Sequence, residues 1–506
     1  MSNRSLRLSV LVRRDAPPYW MLDGKRASWE GRARGYVLVK VPVEHMGLAE
    51  SMQDLVDATA AAARSTKGGR AVDYAETEKA IDERTAAVER AAHAEMLRAL
   101  DVDAPRIRVR GALYTRLGRE PGTYFTMAGE VVVERTVYRQ VGVRNGPILD
   151  PVHLRTGAYG RGWLPLTAQC MANDVQRGPS REAEDAARQT SRFPYSRASF
   201  ERVAHLVGEH WLREHADIED QLTQEFDVPA EAVAMSVALD RVSVPMEEAT
   251  KRPVGRPRKD APKRPVERNF RMAYCATITL HDAEGESLHT LRYGCMPKSD
   301  VDLWCAEIAH EAHRLFERRP GLRIKLLSDG APEMCNLLQS HFPAAAFGKV
   351  EQGIDFWHVI EKLAPAAEVI FGEDHAKSEL HRWRVRLRSA NCAAEEILAE
   401  LRDSGLEDKR RDSERPVHEA ITYLQNHAER MHFARSLRLG LPIGSGAVEA
   451  TCKTLVSIRM KRAGSRWKTA TGEHILYLRA LALSDRWTPA MHKLHATRRT
   501  AVKVAA

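Results

Sequence analysis

Three acidic residues occupy positions from which a folded chain could assemble a metal-dependent site. Asp240 lies in the middle of a short apolar strand pattern, Asp329 directly follows another, and Glu449 lies in the early turns of a helix that follows a Gly-Ser-Gly turn. An unpaired buried carboxylate is costly, so Asp240 either points to solvent or binds a cation. Three hard oxygen ligands favour Mg²⁺ or Mn²⁺ over zinc. Two such ions could activate a water or a 3′-hydroxyl for in-line attack on a phosphodiester.

The other two acids also have structural alternatives. The three carboxylates lie 89 and 120 residues apart, so only the fold can unite them. Ser328-Asp329-Gly330 is a common turn sequence. Glu449 and Lys453 stand one helical turn apart, as in an ordinary solvated ion pair. The pattern therefore predicts a metal site only if a sheet and a helix converge.

The helix that carries Glu449 has an apolar face and a basic continuation. Ser445 is expected to cap its first turn, because a serine hydroxyl can accept hydrogen bonds from unpaired amide groups. Four apolar residues at helical spacing are predicted to face a core: Val448, Cys452, Leu455 and Val456. Five basic residues are predicted to contact DNA phosphates: Lys453, Arg459, Lys461, Arg462 and Arg466. Trp467 either stacks on a base or packs in a core.

The net charge of +9 is concentrated in two segments. Residues 251–271 carry nine Lys or Arg against two acids, and residues 453–503 carry twelve against two. Such localised charge is typical of nucleic-acid binding, with a solubilising surface as the alternative. The four prolines of the first segment predict an extended loop. Its sequence around Arg256, Arg258 and Lys259 resembles an AT-hook, which predicts either minor-groove contact or unspecific phosphate contact with double-stranded DNA.

Composition argues against several other classes of protein. The seven cysteines contain no CxxC pair, which argues against a disulfide framework or a zinc ribbon. The apolar runs near the N-terminus are too short for a signal sequence or a spanning helix, so we expect a cytoplasmic, nucleoid-associated protein without a membrane partner. His310-Glu311-Ala312-His313 falls one residue short of the HExxH zinc motif and is predicted to be surface helix.

The chain divides into seven predicted segments of an α+β multidomain protein. Residues 1–104 form an N-terminal region with a long helix over Glu76–Leu100, residues 105–150 a β-hairpin module, and residues 151–230 a helical region. The helical region contains either a helix-turn-helix or a generic helical hairpin. The remaining segments are a core at 235–360, a helical insertion at 361–438, closing helices of the core at 439–490 and a basic tail at 491–506.

The order of elements in residues 235–360 is typical of an RNase H-like α/β core. One strand, a hairpin, a helix and two further strands follow one another, with the last strand expected around Phe347–Val350. In such a mixed sheet the strand of Asp240 and the strand before Asp329 are neighbours, and a closing helix packs across their ends. This arrangement would bring the three acids together.

Four segments resemble the DDE-type bacterial insertion-sequence transposases of the ISKra group. They are VALDRVSVPMEE (237–248), LLSDGAPEM (326–334), IDFWHVIEKL (354–363) and GSGAVEATCKTLVSIRMKRAGSRWK (444–468). The resemblance implies that Asp240, Asp329 and Glu449 form a catalytic triad that binds Mg²⁺ or Mn²⁺. It also implies that the Asp355-Phe-Trp-His358 motif lies near the active site. There, His358 either orients a scissile phosphate or packs beside Trp357.

The same resemblance implies a DNA transposase whose RNase H-like catalytic core is preceded by a mixed helical and β-hairpin DNA-binding region. Such an enzyme binds the terminal inverted repeats of its element, cleaves at the ends with two divalent metals and joins the 3′-hydroxyl to target DNA. Synapsis of two ends implies a homodimer or higher oligomer. Two other hypotheses fit the residues: a catalytically silent DNA-binding protein derived from a transposase, and an RNase H-like nuclease without strand transfer.

Overall fold

Two compact units make up the part of the chain that the computed structural model describes, which is residues 6–10, 21–22, 25–26, 37–42, 45–65, 69, 71–248 and 267–505. The first unit comprises the described residues up to 174 together with 180–206 and those from 495 onward; the second comprises 175–179 and 207–494. Each unit contains both helices and sheet. The protein is therefore a mixed α/β multidomain protein, as the sequence predicted.

The described strands of the first unit are β1 (Leu6–Val10), β2 (Met21–Leu22), β3 (Lys25–Arg26), β4 (Val37–Val41), β5 (Arg106–Val109), β6 (Ala112–Thr126), β7 (Gly129–Gln140) and β13 (Lys503–Val504). The last four form an antiparallel sheet with the order β13-β5-β6-β7. The first four strands form two separate antiparallel pairs, β1 with β4 and β2 with β3. The predicted hairpin is present as β6 and β7, and β6 runs through Gly118 and Pro121-Gly122 with a register shift between Arg116 and Gly118.

Helices cover the rest of the first unit. They are α1 (Met46–Ser65), α2 (Tyr74–Ala99), α3 (Pro151–Thr156), α4 (Pro165–Arg177), α5 (Ser180–Gln189) and α6 (Arg197–Glu225), of which α4 and α6 continue into residues of the second unit. The helix predicted over Glu76–Leu100 is confirmed as α2, and its first turn is capped by the Asp73 carboxylate. The helix-turn-helix stays a prediction; its second helix, α6, has 29 residues instead of the short helix expected.

The segment expected as a basic tail at 491–506 has regular secondary structure in its described residues, which end at 505. Helix α18 (Trp487–Arg498) covers its first half, and β13 then pairs antiparallel with β5. The apolar Val502 packs with residues of β5, and Val504 pairs with Ile107. Alternating apolar residues thus outweigh the basic composition and make this segment the edge of a sheet.

The second unit contains a five-stranded mixed sheet with the order β10-β9-β8-β11-β12. Its strands are β8 (Ala234–Glu248), β9 (Glu267–His281), β10 (Ser287–Cys295), β11 (Arg323–Ser328) and β12 (Val350–Ile354). Strands β8, β11 and β12 are parallel neighbours, whereas β9 is antiparallel to both β8 and β10. The final strand was predicted too early, since Phe347 ends the short helix α9 (Ala344–Phe347). The basic-loop residues Arg256, Arg258 and Lys259 lie in 249–266, outside the described residues.

Side chains alternate across β8 and bury both faces of the sheet. Met235 and Leu239 pack in a core with helix α7 (Val301–Arg318) and helix α8 (Pro332–His341). Ala238 and Val244 belong to a second core on the opposite face. That core includes α15 (Gly446–Thr451), a π-helical turn at Cys452–Ser457, α16 (Ile458–Met460) and α17 (Thr469–Leu483). The sheet is therefore the middle layer between two helical layers.

The remaining helices build a third hydrophobic core around Trp383. They are α10 (Phe356–Phe371), α11 (Glu373–Ser389), α12 (Ala393–Asp403), α13 (Pro416–His427) and α14 (Phe433–Arg438). The segment predicted as a helical insertion is thus helical, and α10 joins it directly to the end of β12. Across the described residues, no helix combines the length and the apolar character needed to cross a membrane.

Candidate active site

The ends of three parallel strands place aspartates side by side. Ala238 of β8 pairs with Leu327 of β11, and Asp240 and Asp329 each lie two residues beyond that pair. Ser328 pairs with Ile354 of β12, so Asp329 and Asp355 each lie one residue beyond this second pair. Because neighbouring strands lie about 4.8 Å apart, the three aspartates occupy adjacent positions along one line across the sheet.

Asp240 faces the helix that carries Glu449. It shares the side of β8 on which Ala238 packs against the α15 layer. The Cys452 thiol donates a hydrogen bond to Asp240 Oδ2 at 3.4 Å, and the Arg241 backbone N–H donates to Oδ1 at 2.6 Å. Cys452 follows Glu449 by three residues, so the same stretch of helix supplies both side chains.

Asp329 forms the turn that its sequence suggested. Its Oδ1 accepts a hydrogen bond from the Ala331 backbone N–H at 2.8 Å, and its carbonyl oxygen accepts one from the Tyr423 hydroxyl at 2.9 Å. Gly330 has a φ of +93°, and a Cβ there would lie 3.1 Å from the Tyr423 hydroxyl. The glycine is required for this close approach. The turn holds Asp329 at the strand end through its Oδ1.

Glu449 lies on α15, which begins at Gly446 as expected. The expected cap is wrong, because the Ser445 side chain makes no capping hydrogen bond. Its hydroxyl donates instead to Glu449 Oε1 at 3.3 Å. Val448, Cys452, Leu455 and Val456 are buried, as their spacing predicted. Serine therefore orients the carboxylate that the helix presents.

Asp355 is a further acid at this end of the sheet, and the sequence pattern predicted no role for it by itself. It is 1% exposed, and its Oδ1 accepts the His358 backbone N–H at 2.7 Å, which caps α10. Its Oδ2 accepts the backbone N–H of Ser445. The next residue, Phe356, donates its backbone N–H to Ile443 at 2.9 Å. Asp355 thereby fixes the turn that begins the helix of Glu449 to the end of β12.

The electrostatic coupling of these groups shows that they share one region. Partial burial raises the pKa of Glu449, and the negative charges of Asp355 and, more weakly, Asp240 raise it further. Burial raises the pKa of Tyr423, and the charges of Asp329 and Asp355 add to that effect. We call the four acids Asp240, Asp329, Asp355 and Glu449 the carboxylate edge.

The carboxylate edge has the donor atoms of a site for a hard divalent cation, but not the arrangement of one. Within the described residues, no three His, Cys, Asp or Glu side chains are arranged to hold a metal ion between them. The donors at the edge are all carboxylate oxygens, which Mg²⁺ and Mn²⁺ prefer. The pKa of Glu449 is raised partly by like charges, and a bound cation would relieve that repulsion.

His358 and Trp357 lie in the first turn of α10, beside the edge. His358 Nδ1 is 3.5 Å from the Glu361 carboxylate, and its ring centroid is 6.3 Å from that of Tyr423. Its side chain is 35% exposed. The contacts of His358 are thus with Tyr423 and Glu361, and its role toward phosphate stays a prediction.

The predicted DNA-contacting residues after Glu449 separate into two groups. Lys453, Lys461 and Arg466 are exposed, and Arg462 is half-buried. Arg459 is 5% exposed, donates its Nε–H to the Val175 carbonyl at 3.0 Å and lies over the Trp467 ring at 4.9 Å. The predicted phosphate contact of Arg459 is therefore wrong, because this buried side chain cannot reach a phosphate at the surface. Trp467 packs, with its indole N–H donating to Met460 at 3.1 Å.

Comparisons with known proteins do not assign the chain to a family. No family model matches, and no curated protein matches. Among solved structures, a chain of the Drosophila P element transposase strand transfer complex matches with 11% identity and a TM-score of 0.26. The match covers 68% of this chain and 82% of that chain. Similarity this low leaves the inference of function to the residues of this chain.

Proposed function

We propose that the protein is a DNA transposase that cleaves phosphodiester bonds at the ends of its element and joins the 3′-hydroxyl to target DNA. The observation that carries the proposal is the carboxylate edge. Asp240 and Asp329 lie at matching positions on neighbouring parallel strands, and Glu449 is near enough to Asp240 for its pKa to respond to that charge. The neighbourhood of acids from three distant segments supports the proposal.

The order of the five strands supports an RNase H-like core for this enzyme. The first three strands in sequence, β8, β9 and β10, form an antiparallel meander, and β11 and β12 then add in parallel on the far side of β8. Ligands of such open sheets bind at the carboxyl ends of the parallel strands. The carboxylate edge lies at that end.

In this proposal, Asp240, Asp329 and Glu449 would hold Mg²⁺ or Mn²⁺. Two such ions would activate the attacking oxygen and neutralise charge on the leaving oxygen. The protein side chains orient the ligands: Ser445 holds Glu449, Cys452 holds Asp240, and Asp355 ties the turn of Glu449 to the sheet. His358 would donate a hydrogen bond to the phosphate beside them.

Exposed basic residues would bind the DNA backbone around the site. Lys453 lies one helical turn beyond Glu449, and Lys461 and Arg466 follow on the same segment. We propose that Arg256, Arg258 and Lys259 add contacts to the terminal repeats from the basic loop, and that two copies of the chain hold the two ends of the element.

Strand transfer distinguishes this proposal from its alternatives. The assay combines labelled duplexes with end sequences taken from DNA flanking the gene, a supercoiled plasmid and Mg²⁺ or Mn²⁺. Joined products are expected from the wild type. Asp240→Asn and Asp329→Asn should lower joining on the order of 1000-fold, since metal-assisted catalysis contributes several kcal/mol.

The matched control is Asp408→Asn, whose side chain is 94% exposed in the insertion and which should join DNA normally. Plasmid nicks without joined product would support a nuclease instead. Binding without either product would support a catalytically silent DNA-binding protein. Full activity of Asp240→Asn would refute the assignment of the carboxylate edge.

A further inference from the structure

One tryptophan differs from the others in the described residues. Trp163, Trp211, Trp304 and Trp383 are at most 4% exposed, and Trp467 and Trp487 are half-buried. Trp357 is 52% exposed. A single exposed apolar side chain needs no functional explanation by itself, so its surroundings decide what it can do.

Trp357 lies beside the carboxylate edge. A Cβ built on Gly444 would lie 3.5 Å from Asp355 Oδ2 and 3.6 Å from Trp357 Cδ1. The indole and the Asp355 carboxylate therefore flank the same point on the turn that leads to Glu449. The aromatic surface stands at the place where the end of a substrate strand would reach the acids.

The indole packs edge-to-face against a buried ring. Its centroid is 5.4 Å from that of Phe356 at an interplanar angle of 77°, and Phe356 makes a similar contact with Phe433 at 5.2 Å. Phe356 is 2% exposed, and its backbone N–H donates to Ile443. A rigid aromatic group loses little conformational entropy when a flat ligand stacks on it.

A cation accompanies the exposed ring. Of the four arginines on α11, Arg382 and Arg386 both pair with Glu400. The guanidinium of Arg384 lies over Trp357, with Cζ 4.7 Å from the ring centroid. A ring with a guanidinium over one face can stack a nucleobase on its other face, and the guanidinium can attract the phosphate.

We propose that Trp357 and Arg384 form a binding site for an unpaired nucleotide at the end of the substrate strand, an inference that rests on the proposed transposase function. A base inside a duplex has both faces covered by its neighbours, so only an unstacked base can offer a face to the indole. Stacking would hold the strand end open and direct its phosphate to the carboxylate edge. Arg384 would contact that phosphate.

The test compares two labelled DNA probes in EDTA, so that binding is measured without cleavage. One is a blunt duplex, and the other is the same duplex with a three-nucleotide overhang that contains 2-aminopurine. The wild type is expected to bind the overhang more tightly and to quench its 2-aminopurine fluorescence. Trp357→Ala should weaken overhang binding roughly 5- to 150-fold, the equivalent of about 1–3 kcal/mol of stacking, and leave blunt-duplex binding unchanged.

Two further variants make the result specific. Trp357→Phe should retain most of the preference, because a phenyl ring can still stack. The control is Val385→Ala, which alters an exposed apolar side chain on the same helix as Arg384 and should bind both probes as the wild type does. Arg384→Ala should weaken overhang binding and lower its salt dependence.

Equal binding of both probes by the wild type, or equal loss for both probes in Trp357→Ala, would overturn the proposal. The 2-aminopurine signal of the wild type tests it even if Trp357→Ala fails to fold. Failure of this site is distinguishable from failure of the proposed function. Normal strand transfer by Trp357→Ala would reject the nucleotide site and still support the transposase function. An overhang preference in a protein that never joins DNA would support the nucleotide site and reject the transposase function.

Discussion

Two groups of side chains in the second unit differ in whether the hydrogen-bond donors to their acidic residues carry a positive charge. In the first, Glu311 is 5% exposed and accepts hydrogen bonds from Thr223 at 2.9 Å and Tyr293 at 2.7 Å, while Arg486 forms an ion pair with it. We call these four residues the paired cluster. At the carboxylate edge the donors are backbone amides, a thiol and a hydroxyl, none of which carries a positive charge.

The two kinds of charge balance are typical of different roles, one in the stability of the fold and one in ligand binding. A buried charge with a complementary partner and filled hydrogen-bonding positions supports the fold. Like charges placed side by side raise one another's pKa values and cost stability, and such clusters occur where a cation or substrate supplies the missing charge. The comparison predicts that the two groups respond in different ways to substitution and to metal.

The largest effect is expected from breaking the paired cluster. Arg486→Met should lower the free energy of unfolding by about 3–5 kcal/mol, because it leaves the buried Glu311 charge without a partner. Denaturant unfolding of the full chain measures this loss. Arg388→Met, at an exposed position on α11, should stay within about 0.5 kcal/mol of the wild type. A loss below about 1 kcal/mol for Arg486→Met would mean that the cluster does not carry structural charge balance.

The next effect is stabilisation by metal. Mg²⁺ at 100 times its dissociation constant should raise the free energy of unfolding by about 2.7 kcal/mol, since it would bind only the folded carboxylate edge. EDTA should remove this gain. Glu449→Gln and Asp329→Asn should show little response to Mg²⁺, whereas Asp408→Asn should respond as the wild type does. A wild-type melting temperature that is insensitive to both Mg²⁺ and Mn²⁺ would contradict the metal assignment.

Asp355 tests whether the edge depends on its attachment to the sheet. Asp355→Asn should lower the free energy of unfolding by about 2 kcal/mol, because one of two backbone N–H donors would then face an amide NH₂ group. The same variant should weaken the response to Mg²⁺, which a purely structural defect elsewhere would leave intact. Thermal melts with and without Mg²⁺ measure both quantities. An unchanged metal response would limit Asp355 to stability.

Lys325 is a third kind of buried charged group, because its hydrogen-bond acceptors are neutral. It is 3% exposed, its Nζ donates to the Ser436 hydroxyl at 2.9 Å, and burial lowers its pKa to about 8. Between pH 8 and pH 10.5 the folded protein has lost a proton that the unfolded chain still binds. Stability should therefore rise with pH in this window, by up to about 1.4 kcal/mol per pH unit.

Lys325→Met isolates that contribution. Subtracting its unfolding free energy from that of the wild type between pH 7 and pH 10 cancels the titration of all other groups. The difference should change across the window and should favour the variant most at neutral pH. A difference that is independent of pH would show that Lys325 titrates near its ordinary value.

Sequence periodicity was sufficient to predict most strands of the five-stranded sheet and the buried face of the helix that carries Glu449. The strand predicted directly before Asp329 is present as β11, because its apolar run is bounded by a turn on each side. Helix α1 was not predicted, because the Pro and Gly residues that flank its alanine-rich stretch favour loops. Gly118 and Pro121-Gly122 are residues that favour turns, but pairing with β7 keeps them in β6.

The contacts across the site needed the structure. The sequence pointed to Asp240, Asp329 and Glu449 as acids, but the capture of the Ser445 amide by Asp355 joins residues 90 positions apart. A signal was present, since Asp355 follows β12 as Asp329 follows β11. The burial of Arg459 and of Glu311 could not be read from composition, because both depend on partners distant in the chain.

The pairing of β13 with β5 has a consequence for synthesis of the chain. Residues 503–504 complete a sheet whose other strands lie between residues 106 and 140, so the ribosome must make the whole second unit before that sheet can close. During this interval β5 presents an open strand edge, which can pair with another chain. A product truncated within the second unit would keep that edge for its lifetime. Pairing with β13 covers that edge of β5 only after residues 503–504 have been made.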